Sequence, residues 1–138
     1  MKPVLLDTGV IVSLLDSSEH RHRACIEAIQ SCDAPLVTCE AVIAESCYLL
    51  RKQRGAAEKI LENVASGAFQ IPFQLASEAN EIQHILRRYR DREIDLADAC
   101  LIHLADELRT GEILTLDRDF EIYRWSGNKR FQPLIPFA

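Results

Sequence analysis

Four acidic residues stand where a charged side chain is costly unless something pairs with it: Asp7, Glu45, Asp98 and Asp117. Asp7 and Asp117 directly follow apolar runs, whereas Glu45 and Asp98 are flanked by apolar residues inside predicted helices. Each one alone has a structural explanation, such as a turn, a helix cap or a partly exposed position. All four together indicate a functional site, because Arg118, beside Asp117, is the one adjacent basic residue.

Carboxylates that converge without cationic partners repel each other, so a divalent cation is their natural counter-charge. A site with only oxygen ligands favours Mg²⁺, or Mn²⁺, over zinc. A metal ion held in this way can activate a water molecule and relieve negative charge on a substrate.

Apolar strand and helix patterns alternate along the chain. The predicted strands are 4–6, 36–38, 69–73, 113–115 and 133–135, and the predicted helices are 9–15, 19–31, 40–54, 56–66, one starting at a Ser77 cap, and 96–108. This alternation predicts an α/β fold of three layers, in which a mostly parallel sheet is covered by helices on both faces. Asp7 and Asp117 follow two strands of that sheet, at the edge where ligands of parallel sheets gather.

Local signals sharpen the positions of several elements. Thr8 is the expected cap of the first helix, and Asp95 caps helix 96–108 with Asp98 in the capping-box position. That last helix is apolar almost all round, so it should be buried. Gly55 and Gly111 are the expected helix stops, and Pro72 places strand 69–73 at a sheet edge.

Length and composition limit the class of protein. The chain has 138 residues, 48% of them hydrophobic and 27% charged, which predicts one globular domain spanning residues 1–138. No apolar stretch is long enough for a membrane span, and Asp7 interrupts any signal-peptide core. The five cysteines are odd in number and lack a Cys-x-x-Cys pair, which is typical of reduced thiols. We therefore expect a soluble, non-exported, cytoplasmic protein without membrane contact.

The acidic residues lie in short motifs that resemble those of the PIN-domain ribonucleases, and most of all the VapC-type toxins of bacterial toxin–antitoxin pairs. These motifs are Leu6-Asp7-Thr8, Ala44-Glu45-Ser46, Asp95-Leu96-Ala97-Asp98-Ala99 and Leu114-Thr115-Leu116-Asp117-Arg118-Asp119-Phe120. They occur in the expected order over nearly the whole chain. The resemblance implies a PIN-like fold, a metal-dependent endoribonuclease site, a cognate antitoxin and a homodimer.

By motif match, the resemblance assigns Asp7, Glu45, Asp98 and Asp117 as the acidic set that holds Mg²⁺ and performs catalysis. Glu45 is either a metal ligand or the base that orients the water. The resemblance also makes Asp119 a further candidate metal ligand, at a position at which family members differ. Thr8 and Thr115 match polar positions that support the first and fourth carboxylates.

The net charge of −5 lacks the basic excess typical of a nucleic-acid-binding protein. Without these four carboxylates the net charge would be −1, and two bound Mg²⁺ ions would cancel their four charges, so the metal-loaded protein need not repel RNA. Basic clusters at 51–54, 87–92 and 128–130 offer phosphate contacts. Tyr123, Trp125 and Phe131 offer aromatic rings for stacking on unpaired bases.

Other functions fit the sequence less well. Asp7-Thr8-Gly9 matches the motif of aspartic proteases, but those folds are all-β and need a second copy of the motif. A phosphoryl-transfer enzyme with a strand-end aspartate nucleophile would need a further carboxylate where Gly9 stands. A stand-alone nuclease and a catalytically inactive RNA- or protein-binding module remain open. The apolar pairs Leu49-Leu50 and Ile60-Leu61 are available either to the core or to a partner protein.

Overall fold

The first apolar run of the sequence forms the central strand of the sheet. The computed structural model describes residues 2–137. Its strands are β1 (Val4–Leu6), β2 (Leu36–Val37), β3 (Phe69–Gln70), β4 (Glu112–Leu114), β5 (Arg124–Trp125), β6 (Lys129–Arg130) and β7 (Gln132–Pro133). Its helices are α1 (Thr8–Leu15), α2 (His22–Gln30), α3 (Glu40–Leu49), α4 (Ala56–Ala65), α5 (Leu75–Arg88) and α6 (Leu96–Leu108), with short 3₁₀ helices at Arg90–Arg92 and Arg118–Glu121.

Five strands form one parallel sheet in the order β3-β2-β1-β4-β7, and β5 and β6 form a separate antiparallel hairpin. All three residues of β1 are buried, as expected for a central strand whose two faces are both covered by other elements. The α/β fold with a mostly parallel central sheet flanked by helices is therefore confirmed. Because β1 and β4 are neighbours, Asp7 and Asp117 follow adjacent strands at the same edge of the sheet.

Three helices begin at residues other than those predicted. The N-cap of α1 is Asp7 rather than Thr8, since the Asp7 carboxylate accepts the Thr8 backbone N–H. Helix α2 begins at His22 rather than Glu19, because the preceding residues form turns. Helix α5 begins at Leu75, so Ser77 lies inside its first turn instead of capping it.

Other element ends also differ from the sequence patterns. Helix α3 stops at Leu49 rather than Arg54, and Gly55, with a φ of 76°, precedes α4 as its N-cap instead of ending α3. Strands β3 and β7 contain two residues each, at 69–70 and 132–133. The pattern of apolar residues does not predict where these two strands end, because a short edge strand ends where its backbone hydrogen bonds to the neighbouring strand end. The predicted edge position of β3 is confirmed.

Most of helix α6 is buried, as its apolar sequence predicts. Every residue from Ala97 to Ala105 is buried, including Asp98 and His103. The helix contacts α3, α5, β1 and β5, so its position is fixed from several sides. Buried polar side chains on such a helix are therefore held in defined positions.

Gly111 is required by close packing rather than by the end of α6. The left-handed residue at that end is Arg109, with a φ of 58°. A Cβ atom added to Gly111 would lie 2.7 Å from Cε2 of Trp125, whose indole N–H donates to the Arg130 carbonyl.

We expect Gly111→Ala to lower the free energy of unfolding by about 2 kcal/mol, because the added methyl group must displace the Trp125 ring. Urea unfolding followed by circular dichroism measures this loss. The same substitution in a Trp125→Leu background should cost much less, since the clash is then absent. An equal cost in both backgrounds would contradict this explanation.

Among residues 2–137, no helix combines the length and apolar character needed to cross a lipid bilayer. All five cysteines are free thiols, as their number and spacing predict.

Candidate active site

Asp7 is buried at the junction between β1 and α1. Its Oδ1 accepts the backbone N–H of Thr8 at 2.8 Å, and its Oδ2 accepts the hydroxyl of Thr115 at 2.6 Å. The side chain thus has a fixed orientation at the carboxyl end of the central strand. Burial nevertheless raises its pKa to about 6, against the lowering effect of these hydrogen bonds.

Asp98 lies in the first turn of α6, where its backbone N–H donates to the capping carboxylate of Asp95 at 2.8 Å. Its own carboxylate is 7% exposed and accepts the hydroxyl of Tyr123 at 3.3 Å. Burial, followed by repulsion from Asp7, Asp95 and Asp117, raises its pKa to about 8. This carboxylate faces other carboxylates, so capping alone does not explain it.

Asp117 follows β4 and caps the 3₁₀ helix at Arg118–Glu121. Its backbone N–H donates to Thr115 Oγ1 at 3.0 Å, and its Oδ1 accepts the Asp119 backbone N–H at 2.9 Å. Partial burial and the charges of Asp119 and Asp95 raise its pKa. Thr115 therefore connects Asp7 and Asp117 through a single buried hydroxyl.

The structure brings three of the four predicted carboxylates into one group. One carboxylate oxygen from each of Asp7, Asp98 and Asp117 lies within 4.8 Å of the others. Their raised pKa values arise chiefly from burial, with further contributions from neighbouring negative charges. The arrangement is electrostatically costly in the ionised form, and a divalent cation coordinated by these oxygens would relieve that cost.

Glu45 stands at the rim of the same cleft rather than in its buried part. The cleft has a volume of about 370 Å³ and is lined by Asp7, Asp98, Asp117 and Glu45, among others. The interpretation of Glu45 as a carboxylate in an apolar setting is wrong, because its side chain lies on the exposed face of α3. The Thr8 hydroxyl donates to Glu45 Oε1 at 2.6 Å and so links this glutamate to the α1 terminus.

Asp119 lies outside the carboxylate group. Its backbone N–H supports Asp117, and its side chain forms a 3.9 Å ion pair with Arg92. Arg92 belongs to the predicted basic cluster 87–92, so this contact brings part of that cluster close to the cleft.

Tyr123 has a role that the sequence analysis missed. Its ring is 1% exposed and packs edge-on against Tyr89 and Phe120, while its hydroxyl reaches Asp98. The expectation that Tyr123, Trp125 and Phe131 stack on RNA bases is wrong, because all three rings are buried. The sequence carried no signal of this burial, because five of the eight residues 117–124 are charged.

We expect Thr115→Val to lower the free energy of unfolding by about 1–3 kcal/mol at neutral pH, because the buried Asp7 oxygen and the Asp117 N–H each lose a partner. The stabilisation by Mg²⁺ should weaken as well. Urea unfolding with and without Mg²⁺ tests both effects. Thr110→Val is the matched control, since that buried hydroxyl accepts one long hydrogen bond of 3.4 Å, from Glu112, outside the site. Equal Mg²⁺ stabilisation of both variants would contradict the role of Thr115.

Comparisons with known proteins identify the family to which the chain belongs. The family model described as "PIN domain" matches residues 4–125. Ribonuclease VapC26 of Mycobacterium tuberculosis is 36% identical over 131 residues, which cover 93% of this chain and 97% of that protein. The crystal structure of Mycobacterium tuberculosis VapC20, described as a sarcin-ricin loop cleaving toxin, has the same fold, with a TM-score of 0.78 at 20% identity over 86% of this chain and 93% of that one. The chain therefore belongs to the PIN-domain family, among its VapC-type ribonucleases.

Proposed function

We propose that the protein is a metal-dependent endoribonuclease that hydrolyses RNA phosphodiesters and acts as the toxin of a toxin–antitoxin pair in the cytoplasm. The single observation that carries the proposal is the convergence of Asp7, Asp98 and Asp117 in an open cleft. The ribonuclease name of a relative that is 36% identical over nearly the whole chain supports the same activity.

The donor set fits a hard divalent cation. Asp7, Asp98 and Asp117 supply only oxygen atoms, the ligands that Mg²⁺ and Mn²⁺ prefer, and their charges repel one another without a cation. We assign Mg²⁺ as the physiological ion and these three residues as its protein ligands. When bound, the ion lowers the pKa of a water molecule and relieves charge on the phosphate.

The remaining residues of the cleft position these groups. Thr115 fixes the orientation of Asp7 and Asp117, and Tyr123 does the same for Asp98. Thr8 holds Glu45 at the rim, where its exposed carboxylate is free to orient the attacking water. Glu45 thus acts as the base or water-orienting residue, outside the buried ligand group.

Arginine residues beside the cleft bind the phosphates of the RNA. Arg92 lies 3.9 Å from Asp119, and the neighbouring Tyr89 is anchored by accepting the Arg124 backbone N–H at 2.9 Å. These two contacts hold the basic segment 87–92 against the site. One divalent cation at the three carboxylates would change the net charge from −5 to −3 and would lower the repulsion of RNA at the cleft.

An exposed apolar surface on α3 and α4 is available to an antitoxin. In each of the two apolar pairs noted in the sequence, one residue is buried and the other is exposed. Leu50 and Ile60 are buried, whereas Leu49 and Leu61 are 53% and 56% exposed. Tyr48 adds a further exposed ring, on which the Arg51 guanidinium stacks. We assign the antitoxin to this surface and propose a homodimer, which light scattering of the purified chain tests.

Cleavage of a labelled RNA by the purified wild-type chain tests the activity. We expect products with a new end at internal positions in Mg²⁺ or Mn²⁺, and none with excess EDTA. Restoring Mg²⁺ after EDTA should restore cleavage. Retarded RNA without any products in either ion would overturn the nuclease proposal in favour of a binding module.

A further inference from the structure

We propose that Glu78, His103 and Glu107 form a second metal-binding site, for a transition-metal ion such as Zn²⁺, between α5 and α6. Glu78 lies in the first turn of α5, and His103 and Glu107 lie on α6. Because the two α6 residues are four positions apart, they share one face of that helix. The ligands therefore come from two helices that pack against each other.

The distances between the three side chains suit a tetrahedral ion. The His103 Nε2 atom lies 2.9 Å from Glu78 Oε1 and 3.9 Å from Glu107 Oε1, and one ligand atom from each residue lies within 4.8 Å of the others. Zinc bonds to nitrogen and oxygen of about 2.1 Å place neighbouring tetrahedral ligands about 3.4 Å apart. The observed separations lie on both sides of that value, so small side-chain rotations suffice to enclose an ion.

The hydrogen bond between His103 and Glu78 does not explain why a second glutamate, Glu107, also lies near the ring. Both glutamates approach the same ring nitrogen, which offers either one N–H or one lone pair. The hydrogen bond to Glu78 occupies it, and Glu107 at 3.9 Å is too distant to share it. A metal ion at the centre would engage all three side chains and compensate both negative charges.

The surroundings hold the histidine in place and leave an entry route. The His103 side chain is 4% exposed, and the Phe73 ring packs against it with centroids 6.0 Å apart. The Glu107 side chain is 58% exposed, which gives an ion access from solvent and leaves room for a water ligand.

The chemistry of this set differs from that of the cleft. One imidazole and two carboxylates favour a borderline ion such as Zn²⁺, whereas the three aspartates of the cleft favour Mg²⁺. The site is independent of the proposed ribonuclease activity. Its expected effect is to link α5 to α6 and to stabilise the fold through binding to the folded state.

Zinc titration of the full chain, by calorimetry and by thermal unfolding, tests the proposal. Glu107→Gln is the decisive variant, because it removes an exposed ligand and leaves the hydrogen bond between His103 and Glu78 intact. Glu58→Gln, on the exposed face of α4, is the matched control. Asp98→Asn weakens zinc binding in the cleft, so that the second site is observed separately.

We expect Glu107→Gln, in the Asp98→Asn background, to lower zinc affinity by about 10-fold or more and to remove most of the zinc-dependent rise in Tm. Glu58→Gln should change neither. Equal zinc affinity of the Asp98→Asn protein, of Asp98→Asn with Glu107→Gln, and of Asp98→Asn with Glu58→Gln would overturn the proposal. Mg²⁺-dependent RNA cleavage should be unchanged in Glu107→Gln alone, so failure of this site and failure of the nuclease assignment give different results.

Nuclear magnetic resonance of the imidazole nitrogens supplies a direct readout. Because a carboxylate only accepts hydrogen bonds, Nε2 carries the proton in the metal-free protein. Zinc coordination at Nε2 requires that this proton leave Nε2, because the metal uses the lone pair of that nitrogen. A His103 Nε2–H signal that persists at saturating zinc would also overturn the proposal.

Discussion

Replacing Asp98 with asparagine is expected to lower the rate of Mg²⁺-dependent RNA cleavage by about 10³-fold, while the chain remains folded. Metal ions contribute several kcal/mol of transition-state stabilisation, and each 1.36 kcal/mol corresponds to a factor of ten in rate. Asparagine keeps the size of the side chain and an oxygen that accepts the Tyr123 hydroxyl. It removes the negative charge, which is the property that binds the ion.

Single-turnover cleavage of a labelled RNA, with circular dichroism as the test of folding, measures this effect. Asp7→Asn should give a loss of similar size, and the double variant should lose little more, because residues that act as one unit are not additive. Asp33→Asn, at an exposed position outside the cleft, is the control. Cleavage by Asp98→Asn at the wild-type rate would show that Asp98 is not a metal ligand.

The stability of the metal-free protein is expected to fall as the pH rises from about 5 to 8, and Mg²⁺ is expected to oppose that fall. Burial raises the pKa of Asp7 to about 6 and that of Asp98 to about 8, both above the value of about 3.9 for an unfolded aspartate. Across this window the folded state holds more protons than the unfolded state. Linkage therefore requires the free energy of unfolding to decrease as the pH increases.

The size of the effect is substantial for a small domain. A shift of about two pKa units, as for Asp7, corresponds to about 3 kcal/mol once the pH exceeds the folded-state value. Mg²⁺ needs ionised ligands, so its stabilising effect should grow over the same pH range.

Urea unfolding at pH 5, 6, 7 and 8, with EDTA or with Mg²⁺, measures both trends. Asp98→Asn should remove much of the pH dependence and make the metal-free protein more stable than wild type at pH 8. That gain would accompany the loss of cleavage, because the charge that destabilises the fold is the charge that binds the ion. A wild-type pH dependence in Asp98→Asn would contradict this explanation.

The carboxylates of the cleft were predictable from the sequence to different degrees. Asp7 and Asp117 follow apolar strands, and parallel strands bring their carboxyl ends to one edge of a sheet. Asp98 was identifiable as an acidic residue flanked by apolar ones near the start of a largely buried helix. Glu45 was placed in the correct cleft but in the wrong environment, because helical periodicity did not separate its exposed face from the buried one.

The sequence by itself determined the order of the six helices and of the five strands of the parallel sheet, and the residue types available for a metal site, but not the hairpin of β5 and β6. These properties follow from apolar periodicity and from local capping, which act over a few residues. It did not determine where α3 ends or how short the edge strands are, since those limits depend on pairing and packing with distant residues.

Only the tertiary structure decided which polar groups meet. Thr115 reaches Asp7 across 108 positions of sequence, Tyr123 reaches Asp98, and Glu78 meets His103 between two helices. The tertiary structure also placed Tyr123 in the core. Its hydroxyl there donates to a carboxylate, and its ring is not available to stack on an RNA base. Such contacts depend on the packing of elements that are distant in sequence, so no local sequence pattern predicts them.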